Sequence, residues 1–225
     1  MRMEKANNWC GELMLSQGWA HYRGPAGDAS FHRHYAHQLI FSGSAPARVH
    51  LEDGSILTGC AITVPSNIPH KMAPMAEPVD LLYVEPALLD GPPTADWRLD
   101  QWFNFLHAAT PANIDSRITR ALRAVYDSLD GKITQQDIAR QAGLSTSRFA
   151  EIFRQATGLP LRRYVLWRRI NVAVMAIGGG DTATAAAHRA GFADSAHFSR
   201  TIRETFGVSP IESLLHIRIA PHPEP

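Results

Sequence analysis

One short pattern is written twice in the second half of the chain, and this repeat limits the fold more than any total does. In ITQQDIARQAGLSTSRFAEIFRQATGLP the spacing predicts a short helix from Gln135 to Gln141, a corner at Ala142-Gly143-Leu144, and a second helix behind Ser145 running to Thr157. From Thr182 the pattern returns, with a short helix to Ala190, a corner at Gly191-Phe192, and a helix from Ser195 to Phe206 behind Asp194. The copies end alike, in ATGLP and FGVSP, and their corner glycines lie roughly 48 residues apart. Gly143 suits a tight corner because glycine takes positive φ at little cost. Ser145 and Asp194 can accept from the orphan amides that open a helix. A helix, a glycine corner and a capped helix make the helix-turn-helix pattern. Between the copies, LRRYVLWRRINVAVMAI (Leu161 to Ile177) reads as one connecting helix stopped by Gly178-Gly179-Gly180. Such a helix is about 25 Å long, enough to hold two reading heads for successive major-groove faces.

Each second helix has one apolar stripe: Phe149, Ile152, Phe153 and Ala156 in the first copy, and Phe198, Ile202 and Phe206 in the second. Ser147, Ala150, Glu151 and Arg154, and likewise Ser195, Ala196, Ser199, Arg200 and Arg203, are left facing outward. Small residues early on a helix let its backbone approach base edges. Arginine can fork onto guanine or grip a phosphate, and Glu151 could accept from a cytosine amino group. Residues 1–112 carry a balance of −4, whereas residues 113–218 carry +6. Basic charge confined to the repeat-bearing half is the asymmetry expected of a chain that meets a polyanion. One amphipathic helix would read as a solvated surface, but two at fixed spacing in the basic half point to double-stranded DNA.

Up to about Glu85 the texture changes. LMLSQGWAHYR, HQLIFSG, ARVHLEDGS, ILTGCAITVP and VDLLYVEP are short, partly alternating runs separated by Gly, Pro, Asn and Asp, as in a sandwich or barrel. PALLDGPP is a breaker-rich boundary, followed by a bridging helix from about Asp96, its cap, to Ala109, with Pro111 beyond. Trp97, Leu99, Trp102, Phe103, Phe105 and Leu106 give that helix a broad apolar surface, either core or a homodimer seam. Residues 114–129 read as a further helix that breaks at Asp130-Gly131. The class is therefore α+β: a β domain over residues 1–90, a linker and bridging helix over 91–112, and an all-α domain over 113–218. No apolar run approaches the ~18 residues of a membrane span, and no secretory leader pattern opens the chain. Cys10 and Cys60 make no disulfide framework, so a cytoplasmic setting is expected.

Residues 113–213 resemble the DNA-binding domain of the AraC/XylS family of bacterial transcription regulators. The residues that carry the resemblance are Ile138-Ala139, Gly143-Leu144-Ser145, Phe149, Phe153 and Thr157-Gly158-Leu159-Pro160, then Gly191-Phe192, Asp194-Ser195, His197-Phe198-Ser199, Phe206-Gly207 and Ser209-Pro210. The resemblance implies base contacts from Ser147, Ala150, Glu151, Ala196, Ser199 and Arg200, and phosphate grips from Arg154 and Arg203. It also implies regulation at promoters, more often as an activator and then with RNA polymerase as a partner. Ile202 stands where the family usually has Phe. Ala183 and Ala186 stand where it tends to have Ile or Leu, so a loosely packed second unit is expected.

The first half has its own constellation in His32, His34, His37 and His70. An H-x-H pair on a strand puts both imidazoles on one face, and a third from a neighbouring strand completes a three-nitrogen site. On a regular strand His37 points the other way and Gln38 returns to the inside. Gly27, His32, His34 and Gln38, with Gly59, Pro65, Pro69 and His70, resemble the two motifs of the cupin barrel, with Gln38 in place of the usual ligand Glu. Three readings stay open: a divalent transition metal (zinc, nickel, iron or copper) on His32, His34 and His70 with Gln38 as a weak fourth ligand, a metal-free pocket for a small-molecule effector, or histidines that merely pack. The leading functional expectation is a DNA-binding regulator, not an enzyme, controlled by a ligand or metal in its barrel. The alternative is a metal-dependent, dioxygenase-like cupin enzyme with a DNA tether.

Overall fold

The computed structural model describes residues 9–16, 18–89, 91, 93, 96–108, 115–209 and 216–221. Pro111, Ile114 and Pro210, each given a place by the sequence patterns, lie outside the described residues. The first half forms β1 (Gly11–Leu15), β2 (Trp19–Ala26), β3 (His37–Ser42), β4 (Ala47–Leu51), β5 (Ile56–Gly59), β6 (Ala61–Val64), β7 (His70–Met72) and β8 (Met75–Val84). Two of the apolar runs each split into two strands. LMLSQGWAHYR turns at Gly18, whose φ of 85° is open to glycine, so β1 folds back on β2. ILTGCAITVP breaks at Cys60, and its halves join different sheets.

The strands form a six-stranded sheet, β6-β3-β8-β2-β1-β9, and a three-stranded sheet, β5-β4-β7. Strand alternation sorts the residues of the larger sheet into two faces. Its inner face (Tyr22, Ile40, Ile62, Val64, Leu81) shares a core with Ala47, Val49 and Met72 of the smaller sheet. Its outer face (Trp19, Leu39, Leu82, Val84) is covered by Trp102 and Leu106 of α1 (Leu99–Ala108). Those two residues of the bridging helix are therefore core. Asp96 is not its cap: the first turn opens at Arg98, whose N–H donates to Gln101 Oε1 at 2.9 Å while its carbonyl accepts from Trp102.

The second half forms α2 (Ser116–Tyr126), α3 (Gln135–Gln141), α4 (Thr146–Thr157), α5 (Leu161–Gly178), α6 (Ala183–Arg189) and α7 (Ser195–Phe206). It has two cores, with α5 shared between them. Tyr164, Val165 and Trp167 pack with Phe149, Phe153, Ile118 and Ile138 of the first unit. Ile170, Ala173 and Val174, further along α5, pack with Phe198, Ile202, Ala186 and Ala190 of the second. Ala186 is fully enclosed, as are Ala187 and Ala190, and Ala183 is half-buried. Tyr35 and Ala36, from the β half, lie inside the first helical core.

The chain then returns to the β half. Strand β9 (Ile217–Pro221) pairs in parallel with β1, a strand for which the sequence carried no distinct signal. Gly178 makes room for it, since a Cβ there would come within 2.7 Å of Ile219.

Gly191 joins the two helical units. Its φ is 77°, and a Cβ would fall on the Leu129 carbonyl oxygen and 3.0 Å from Arg169 Nε. Arg169 itself donates to the Leu129 and Gly131 carbonyls at 3.0 and 2.7 Å. Gly191→Ala is expected to destabilise the fold by about 2–3 kcal/mol, read as a lower urea midpoint at unchanged slope. An unchanged midpoint would mean that the two units are not held through this corner.

Candidate nucleic-acid interface and histidine site

Both second helices are built as their sequences suggest. Ser145 Oγ accepts from the Arg148 N–H, Asp194 Oδ1 accepts from the His197 N–H at 2.6 Å, and α4 and α7 end at Gly158 and Gly207 with φ of 74° and 72°. On α4, Ser147, Glu151 and Arg154 are exposed and Ala150 half-buried; on α7, Ala196, Arg200 and Arg203 are exposed and Ser195 and Ser199 half-buried. Glu151 is not a free acceptor, because Arg148 Nη1 lies 2.7 Å from its Oε2 one turn away. Arg148 is itself exposed on the same helix, and its place three residues before an acid was the available signal for it. Arg154 lines a cleft of about 300 Å³ with Arg33 and Arg163. Among the described residues, none of the three has an ion-pair partner.

His32, His34 and His70 each bring a ring nitrogen within 4.8 Å of the others. The route differs from the one the alternation argument supposed. His32 makes an isolated bridge to His70, and His34 follows in irregular chain, so no regular strand carries the H-x-H pair. Each ring is aimed instead by its own backbone bond: His32 Nδ1 to Ser30 O at 2.9 Å, His34 Nδ1 to Ala36 O at 2.8 Å, and His70 Nδ1 to Ile68 O at 2.8 Å. A carbonyl only accepts, so each Nδ1 carries the proton and each Nε2 presents a lone pair. Gln38 points inward and His37 away, where its Nδ1 accepts from the Ser66 N–H. Gln38 Oε1 lies 3.0 Å from His34 Nε2 and 2.9 Å from His70 Nε2.

Burial, more than the neighbouring rings, holds these groups neutral. It pushes His32 down to about 4 and His34 to about 3, with His70 adding to both, and it also lowers His70. His21, away from this site, pairs with Asp80 at 2.8 Å.

A separate cavity of about 1140 Å³ lies between the inner sheet face and the helical half, lined by Leu13, Tyr22, Tyr83, Trp167, Val174 and Phe206 among others. Its charged lining residues are Glu85, Asp181 and Arg189, the last two paired at 3.0 Å.

Two capped helices with outward arginines, held by one shared helix, define a double helix-turn-helix domain. Residues 138–214 match the helix-turn-helix domain family. The transcriptional activator NphR of Rhodococcus sp is 37% identical over 95 residues, 41% of this chain and 28% of its own. The transcriptional activator RhaS of Klebsiella pneumoniae is 33% identical over 104 residues, 46% of this chain and 37% of its own. The chain thus spans about a third of the length of these curated relatives. The solved ToxT of Vibrio cholerae O395 shares the fold at a TM-score of 0.58 and 10% identity, covering 89% of this chain and 98% of its own. A fatty-acid-bound ToxT from strain SCE256 matches at 0.58 and 14%, covering 96% and 98%. The family match lies in the C-terminal domain, over residues 138–214.

The neutral histidines predict acid sensitivity. Unfolded histidines take up protons near 6.5, whereas His32 and His34 resist until about 4 and about 3. The stability they contribute is complete above 6.5 and is lost as the pH falls towards the folded values. Tm should therefore drop between pH 7.5 and 4, and less steeply in His34→Gln; equal slopes in the two proteins would contradict this.

Proposed function

We propose that the protein is a sequence-specific regulator that binds promoter DNA through α4 and α7, and that its N-terminal domain holds the effector that controls it. The observation that carries this reading is the pair of reading helices capped and exposed around one shared helix. Ser147, Ala150, Ser195, Ala196, Ser199 and Arg200 face the bases, Arg154 and Arg203 grip phosphates, and Glu151 acts as a positioning partner of Arg148. The relatives named as activators support activation, with RNA polymerase as the further partner. Among the described residues no helix is long and apolar enough to cross a membrane, in keeping with action on DNA in the cytoplasm.

The effector is a divalent transition metal on His32, His34, His70 and Gln38. The residues fit it, because a Gln38 oxygen facing two bare imidazole nitrogens at 2.9–3.0 Å sets acceptor against acceptor unless a cation lies among them. Turning the amide, so that its NH₂ donates to both, is the metal-free arrangement. Imidazole donors suit zinc, nickel, iron and copper, and a bound metal would supply charge and a fixed geometry. Four side chains would fill a tetrahedral site, whereas a catalytic metal keeps an open position. That favours control over the cupin-enzyme reading.

A second effector reading rests on the cavity of about 1140 Å³. Its aromatic walls suit an apolar molecule, and ToxT has been solved with an unsaturated fatty acid bound. A carboxylate head would find Arg189 already paired.

Arg200→Ala is expected to weaken specific binding by about 1–3 kcal/mol at fixed salt, while parent affinity falls steeply as salt rises. Unchanged affinity would remove Arg200 from the interface. For the metal, elemental analysis of tag-free protein should give near-stoichiometric metal that is lost in His32→Ala/His70→Ala. No metal in the parent after exposure to zinc, nickel, iron and copper would sink that effector.

A further inference from the structure

The loop that carries His32 and His34 also touches the C-terminal ends of both reading helices. At one end, the Ser30 N–H and Oγ donate to the Gly207 carbonyl, the cap of α7, at 2.9 and 3.1 Å. The Ser30 carbonyl in turn accepts from His32 Nδ1, so a single residue separates an imidazole from the α7 cap. Gly207 is buried and allows this approach because it has no side chain: a Cβ would fall on the Ser30 carbonyl oxygen and 2.7 Å from His32 Nδ1. At the other end, the Tyr35 hydroxyl donates to the Thr157 carbonyl in the last turn of α4, from a ring only 4% exposed. Between the two, the His34 ring lies 5.9 Å from the Phe206 ring of α7.

We propose that residues 30–36 couple the histidine site to both reading helices: a divalent metal on His32, His34 and His70 fixes the loop, and the loop seats the ends of α4 and α7. This rests on the metal reading above. His70 reaches the site from β7, tied to the loop by paired backbone bonds of 2.9 and 3.0 Å between His32 and His70. The metal therefore joins the sheet, the loop and both heads in one unit. With no cation, the turned Gln38 amide still bonds His34 and His70, but His32 loses the ion that ties its ring to them. Arg33, between the two histidines, lines the same cleft as Arg154, so a DNA phosphate held there also meets the loop. Linkage then runs both ways: metal tightens DNA binding and DNA tightens metal binding by the same factor.

The test uses the full chain, with zinc chloride as the probe. Calorimetry measures zinc binding, and hydrogen exchange followed by mass spectrometry reads the helix ends with and without it. Zinc should slow exchange about tenfold or more in peptides spanning residues 155–160 and 204–209. Tyr35→Phe keeps the ring and all the ligands; it should bind zinc as the parent does, keep the effect at 204–209 and lose it at 155–160. Ser30→Ala should give the mirror image, with a reduced effect at 204–209 only, and it serves if Tyr35→Phe unfolds. Stoichiometric zinc binding with unchanged exchange at both helix ends would overturn the coupling and leave the metal site standing. Failure to bind zinc, nickel, iron(II) or copper(II) would overturn both.

Discussion

The Glu85 carboxylate, 7% exposed at the end of β8, accepts from Trp167 Nε1–H at 2.8 Å, with Arg168 Nη1 at 3.5 Å. A buried carboxylate is costly unless it is bonded, so this contact favours the observed seat of α5 on the sheet. Both helical cores are built on α5, and the orientation of both reading heads against the β half follows from that seat. Trp167 is also where the other parts meet. Tyr35 of the histidine loop and Phe206 of α7 bring their rings to 5.9 and 6.0 Å from it.

The two heads themselves are held rigidly to one another. α5 sets their separation, and the Gly191 corner with Arg169 on the Leu129 and Gly131 carbonyls sets their rotation. An effector has little to change between the heads. What it can change is how the pair sits on the sheet, through the three elements that leave the β half: the Ser30–Ala36 loop, Glu85, and the β1–β9 pairing. The two candidate effector sites lie on either side of that junction, the histidines at the loop and the aromatic cavity under α5.

Much of the helical half was legible because its signals are local. Ser145, Asp194, Gly158 and Gly207 act on amides and carbonyls within a turn of themselves, so the bounds of α4 and α7 could be read from residue types. The histidine cluster was legible by spacing but for a partly mistaken reason. An irregular loop and three Nδ1–carbonyl bonds converge the rings, where strand alternation was expected to do so; alternation did place Gln38 and His37 correctly. The contacts that join the halves left no such mark. Ser30, Tyr35 and Glu85 work across 80 or more residues of chain, and nothing periodic nearby distinguishes them. Arg98 displaced Asp96 as a cap because its N–H found the Gln101 side chain, a contact that cap preference alone does not weigh.

The measurement that tests the central claim most directly is selection of bound duplexes from a randomised DNA pool by the full chain, followed by sequencing. Two heads fixed on one helix predict a single motif with two conserved blocks about 10 base pairs apart at constant spacing. A motif with one block, blocks at variable spacing, or no enrichment over the starting pool would contradict a rigid two-headed reader.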